Sequence, residues 1–302
     1  MKRAILLGLL FPLSTVWLLG AVPEARWGAK GHEMAARTAA SGLPSDMPEF
    51  FLESDDQLTY LNPEPDRWRD RDRRAMDQAF SYDHYTDYEN LPEGALDAPD
   101  RWEFLAMLYE AGLEKPERDA GVLVFHMIEL YQRLVTQWEL WAEAEGEERR
   151  FIEERILNDA GTLGHYVTDA AQPHHTTIHF NGWNASGSQQ VPNPEGFTEQ
   201  RDFHGRFETA FVGANVSQRH VDAELRPLRD VTDPRAYIIE HFMESHGQVE
   251  RLYRLEKEHG FEAFERPHPD EVQFASERLG AGASALRDLW VAAWREGTGA
   301  GD

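Results

Sequence analysis

The chain has 302 residues, 41% of them hydrophobic, with nine Trp and sixteen Phe, which is enough apolar surface for one large core, or at most two domains, without disulfide support. Cysteine is absent, so disulfides, thiolate metal ligands and cysteine nucleophiles are excluded, and any metal must be held by nitrogen and oxygen. The formal charge of −24 excludes nucleic-acid binding through basic patches; a phosphate substrate would have to be drawn by local cations rather than by the overall field.

In chain order, Lys2 and Arg3 precede an apolar run from Ala4 to Ala21 interrupted by Pro12, the pattern of a signal peptide. The expectation is export to the periplasm or the medium with residues 1–26 removed, the alternative being an uncleaved anchor, since ~18 apolar residues just reach across a bilayer. Loss of Lys2, Arg3 and Arg26 against Glu24 moves the charge from −24 to about −26. Residues 31–51 predict one helix and a turn broken at Pro44. Residues 62–99, rich in Pro, Asp, Arg and Tyr, predict a long ordered loop over the core, of the kind that carries function. Helices are predicted over 100–113 and over 119–144, the latter with Leu123, Met127, Leu130, Leu134 and Trp138 along one stripe.

A further helix is predicted over 147–171, where Ile152, Ile156, Ala160, Leu163 and Val167 recur at helical intervals before Pro173. A second loop follows over 174–200, then helices over 203–211, 234–259, 269–279 and 281–294, with a frayed tail over 297–302. No strand pair and no repeat is legible, so the expected class is all-α: one multi-helix domain spanning 27–302 with long ordered loops around a cleft.

Two pairs of residues carry the chemistry. His165 and Asp169 stand four apart on the predicted 147–171 helix, and His204 and Glu208 repeat the spacing, so each pair projects from one helical face and can reach one metal. For a single pair, the plainer interpretation is an exposed contact between successive turns, worth a few tenths of a kcal/mol. His175, just past the Pro173 stop, adds a ligand beside both pairs. His126 has only Glu129 as a nearby acid and is expected in a surface pair or a partly buried structural role. His174 and His179 flank the ligand His175 within reach of a substrate phosphate, but the favoured expectation is that they support the ligands or are solvated. No functional role is assigned to His220, His241, His246, His259 or His268.

Four blocks in order resemble the zinc-dependent phospholipases C of bacteria and the single-strand-specific zinc nucleases of fungi and plants. They are Trp27-Gly28-Ala29-Lys30-Gly31-His32, Pro65-Asp66 ahead of Asp83-His84-Tyr85, the segment from His165 to His175 with Gln172-Pro173, and His204 to Glu208. The resemblance spans most of the chain and implies three zinc ions. One would be held by Asp66, His84, His165 and Asp169, and a second by His175, His204 and Glu208. The third would take the amino group and carbonyl oxygen of an N-terminal Trp27, together with His32, and Asp169 would bridge it to the first.

The chemistry so implied is hydrolysis of a phosphodiester by hydroxide held between close zinc ions, with Asp66 orienting or deprotonating the water. In three places the chain departs from the family pattern. Arg26 stands where a small residue should precede cleavage. The interval from Asp66 to His84 is long, which leaves Asp70 as a competing ligand. The short Trp27 to His32 interval resembles the nucleases, whereas His-x-x-Phe-Glu at 204–208 resembles the phospholipases, so single-stranded nucleic acid and phospholipid head group both stand as substrates. The rival expectation is a catalytically silent helical protein whose zinc ions staple its loops. No protein partner is implied, and a monomer is expected.

Overall fold

The computed structural model describes residues 28–184 and 191–300; the predicted leader, Trp27 and residues 301–302 lie outside that set. The fold is all-α. Among the described residues the only extended pairings are isolated bridges, Thr86 with Gly121 and Phe180 with Gly182. No described helix is long and apolar enough to cross a membrane.

Eight helices organise the description: α1 (Gly28–Ser41), α2 (Asp55–Leu61), α3 (Arg101–Glu110), α4 (Leu123–Glu143), α5 (Gly146–Ala170), α6 (Pro234–His246), α7 (Val249–His259) and α8 (Pro269–Thr298). Helix α5 lies at the centre and packs on α4, α8 and α2. Its C-terminal half, from Ile156 to Ala170, is buried at nearly every position, which identifies it as an interior helix rather than a surface one. Around it, Trp138 of α4 meets Phe51 at 5.8 Å, and Phe51 meets Trp290 of α8 at 5.5 Å, ring centre to ring centre. The Trp290 indole donates to the Ala160 carbonyl at 3.1 Å, so the polar handle of this deep aromatic is satisfied. Each fully buried Phe of this layer contributes about 1.5–3 kcal/mol by removal from water.

Several predicted boundaries move, each for a physical reason. Residues 62–99 are not a plain loop: they hold a short helix, Arg74–Phe80, between 3₁₀ turns at Pro65–Trp68 and Ser81–His84. The helix predicted from 119 begins only at Leu123, because Gly121 sits at φ +75° with the Tyr85 carbonyl where a side chain would be. Only glycine allows both that conformation and that approach. The 234–259 stretch is two helices, parted at Gly247.

The two predicted helices over 269–294 are one, α8, and the predicted frayed tail is helical through Thr298. Here the glycines serve close packing: a Cβ at Gly280 would lie 2.4 Å from Glu224 Cβ, and one at Gly297 would lie 2.5 Å from Trp138 Cβ. The segment predicted as a helix over 203–211 has one α turn, Phe203–Gly205, and then a π-helix, Arg206–Phe211, a widened form that recurs at functional sites.

Candidate metal centre

The local fold gathers the ligand-type residues from six separate segments. His32 rides on α1, Asp66 on the Pro65–Trp68 turn, His84 at the end of the Ser81–His84 turn, and His165 and Asp169 on α5. His175 lies in the Pro173–Thr176 turn that Pro173 forces after α5, and His204 and Glu208 span the entry into the π-helix. Two of these segments are fastened to each other: Thr86 N–H donates to the His175 carbonyl at 2.9 Å, and His175 Nδ1 lies 2.7 Å from the His84 carbonyl. All eight residues are buried except His204, whose side chain is 17% exposed and marks the open side.

Two groups of ligand atoms result. In the first, His84 Nδ1, His165 Nε2 and Asp169 Oδ2 form a triangle with sides of 2.9, 3.0 and 3.2 Å, with Asp66 Oδ1 4.0 Å from His165 Nε2. In the second, His175 Nε2, His204 Nε2 and Glu208 Oε2 stand 2.9, 3.1 and 3.5 Å apart. Tetrahedral zinc with bonds of ~2.0–2.1 Å to nitrogen and oxygen sets its ligand atoms ~3.3 Å apart. Both triangles match that spacing. Two imidazole Nε2 atoms at 3.1 Å are otherwise mutually repulsive unless a proton or another cation lies between them.

Asp169 joins the first group to His32. The rings of His32 and His165 stack with centroids 4.1 Å apart and planes 17° apart. Imidazole lone pairs lie in the ring plane, so two parallel rings cannot converge on one ion and instead aim at two neighbouring ones. Each ring faces its own carboxylate oxygen: His32 Nε2 lies 3.5 Å from Asp169 Oδ1, and His165 Nε2 lies 3.2 Å from Oδ2. This geometry suits a carboxylate shared by two ions.

Protonation states agree with a ligand role. Burial, then the neighbouring His165, pushes His32 down to about 3, and burial with Arg69 pushes His84 well below the usual imidazole range; both rings are therefore neutral, the form that ligates. Burial alone would raise Asp169 and Glu208. Facing imidazoles outweigh it, chiefly His175 and His165 at Asp169 and His204 and His175 at Glu208, and hold both carboxylates ionised. Burial would lower His175 too, yet Asp169 and Glu208 raise it to about 9. Without an ion, Asp169 and Glu208 thus hold a proton on His175, which a cation lodged beside the two carboxylates would displace. His32 Nε2 and Glu208 Oε1 are buried with no hydrogen-bond partner, a costly condition that a bound ion would relieve. These residues fit divalent metal ions.

Matched against models of known protein families, curated proteins and solved structures, the chain finds no counterpart.

The structure places the remaining candidates as follows. Asp70 is away from the cluster: its carboxylate accepts from Asp72 N–H and pairs with Arg73, so Asp66 is the aspartate at the site. Trp27 is outside the described residues. His126 has the partly buried structural role, 2.9 Å from Arg101 and edge-on to Tyr166. His174 is fully buried behind His204, and His179 stacks on Trp183 at 3.8 Å. His241 donates to the Val167 carbonyl at 2.9 Å and so braces α5.

A further group, His259, His268 and Asp270, brings potential ligand atoms together at the surface. Its two rings stack at 3.8 Å with planes 7° apart, so their lone pairs run side by side and do not meet. It also sits at the N-terminus of α8, where the helix dipole repels cations. It is a capping cluster: His268 accepts from Asp270 N–H.

Two residues have supporting roles that the sequence does not announce. Asn62 contacts both His32 and His165. Gln172 accepts from His174 N–H at 3.0 Å and donates to Glu208 Oε2 at 3.2 Å, orienting that carboxylate. Gln172 adjoins the His165–Asp169 pair in sequence and was legible as part of that block, whereas Asn62 carries no spacing signal at all.

Proposed function

We propose that this chain is an exported, secreted or periplasmic, zinc-dependent hydrolase of phosphate esters, a phosphodiesterase of the single-strand nuclease or phospholipase C type. The observation that carries the reading is Asp169 between two parallel imidazoles, one carboxylate oxygen to each, beside the separate His175–His204–Glu208 triangle. That is an arrangement for two close ions and a third, built wholly from nitrogen and oxygen donors, and the same residues carry the resemblance to the zinc phospholipases and nucleases. Zinc in such a site supplies a nucleophile from water at neutral pH and positive charge for a phosphorus centre.

The chain's own residues divide the remaining work. The buried rings of His165 and His175 are fixed through Nδ1 by the backbone carbonyls of Asn62 and His84, so these two ligands are held in place before substrate arrives. Asp66, at the solvent side of its group with a side chain 11% exposed, is the carboxylate placed to orient a water or accept its proton. Arg69 lies 3.9 Å from Asp66 and brings a guanidinium to the rim in a chain of charge −24, where a phosphate oxygen can meet it. Phe180, 38% exposed and 6.5 Å from the His204 ring, gives the open side an apolar face for the organic part of the ester.

The test is metal analysis of the purified protein followed by assays on single-stranded DNA, RNA and phosphatidylcholine, each with and without chelator. About three zinc ions and chelator-sensitive cleavage of one substrate class are expected. Zinc that binds and stabilises without hydrolysis of any of them would replace this reading with that of a structural staple.

A further inference from the structure

One residue reaches two of the ligand rings at once. Asn62 follows α2 and is fully buried. Its side-chain Oδ1 lies 2.9 Å from His32 Nδ1, and its backbone carbonyl lies 2.8 Å from His165 Nδ1. Both contacts are made by oxygens, which only accept, so each ring keeps its proton on Nδ1 and turns a bare Nε2 towards Asp169. His32 and His165 are also the stacked pair, 4.1 Å apart, so a single residue sets tautomer and orientation for the two rings that flank the shared carboxylate.

The amide packs closely against α5. A Cβ on Gly164 would fall 2.5 Å from Asn62 Nδ2, so α5 presents a glycine where the amide lies against it. A flipped amide would place N–H against His32 Nδ1, move the ring proton to Nε2 and abolish the ligand form.

We propose that Asn62 is a positioning residue that holds His32 and His165 in register, and so fixes the spacing of the two ions that share Asp169. This rests on the metal reading of the site. The side chain governs His32 and the backbone governs His165, so substitution at 62 separates the two effects: the ion on His32 is weakened, while the His175–His204–Glu208 group is untouched.

The experiment uses the full chain, stripped of metal and refilled with zinc. Bound zinc is counted by elemental mass spectrometry after dialysis at graded free zinc, and the imidazole tautomers are read by nitrogen NMR. Asn62→Leu should weaken one zinc equivalent roughly 10- to 100-fold, the scale of lost support behind a ligand, and leave the other two equivalents intact. Asn62→Asp, whose carboxylate still accepts from His32, should keep all equivalents. Gly164→Ala, which displaces the amide without altering it, should behave like Asn62→Leu.

Equal zinc affinity in Asn62→Leu and wild type, or a wild-type His32 protonated on Nε2, would overturn the proposal. Should Asn62→Leu not fold, loss of the equivalent from folded Asn62→Asp overturns it instead. A wild-type protein that takes up no zinc is a different failure, that of the metal reading itself, and is seen without any variant.

Discussion

Withdrawal of metal should destabilise the whole molecule as well as silence it. The candidate ligands tie α1, the turns at Pro65–Trp68, Ser81–His84 and Pro173–Thr176, α5 and the π-helix to one point, so no ion can leave without releasing several segments. An ion that binds only the folded state adds ~2.7 kcal/mol when free metal exceeds its Kd 100-fold. Three ions filling independently would add ~8 kcal/mol on that basis. At ~2 °C per kcal/mol for a chain of this size, the melting temperature should fall by ~16 °C on complete chelation. Scanning calorimetry of the protein with excess zinc, after chelation and after zinc is restored gives the three curves required. Identical melting temperatures in all three would refute the reasoning, because ligands buried in this way cannot bind an ion without stabilising the fold that gathers them.

Asp169→Asn keeps the shape but leaves one ligand oxygen and no charge where two ions need both; by zinc counting it should lose more metal than Glu208→Gln, and equal metal content in the two variants would exclude a shared carboxylate. Gly161→Ala puts a Cβ 2.4 Å from Leu61 Cβ, and overpacking of about 1–3 kcal/mol should outweigh the gain of up to ~1 kcal/mol in helix propensity, seen as a lower urea midpoint. Glu244, held down to about 2 from 4.5 chiefly by Arg226, against the opposing effect of burial and with help from Arg278, is a depressed acid. Its contribution is present above pH 4.5 and lost as pH falls from there towards 2, in an amount reduced by solvent screening. Acid unfolding followed by circular dichroism should therefore be flatter over that range in Glu244→Gln than in wild type. If the amine of Trp27 is a ligand, a chain with Met placed before Trp27 should hold one zinc fewer, and an active protein whose N-terminal mass retains Arg26 would exclude that role.

The all-α class, the interior helix and the paired residues four apart were legible in the sequence because each depends on local period. Ile156, Ala160, Leu163 and Val167 mark the buried face of α5, and the same 3.6-residue turn sets His165 above Asp169 and His204 above Glu208. Pro173 marked the stop that turns His175 back to the site. The sequence favoured Asp66 over its rival Asp70 because it follows Pro65 and leads Arg69; the structure brings Asp66 Oδ1 to 4.0 Å from His165 Nε2 while Asp70 accepts from Asp72 N–H.

What tertiary structure alone decided are the relations between distant residues. Gly280 and Gly282 resemble a helix break in sequence, yet they are close-approach points inside α8, facing Glu224 in one case and Thr168 with Ala171 in the other. Gly247 interrupts a continuous helical pattern. Asn62, 103 positions from His165, acts through a backbone carbonyl that no side-chain pattern can announce. Periodicity reports which way a residue points along its own helix; whether another segment meets it there depends on packing across the core, and that is settled only when the chain folds.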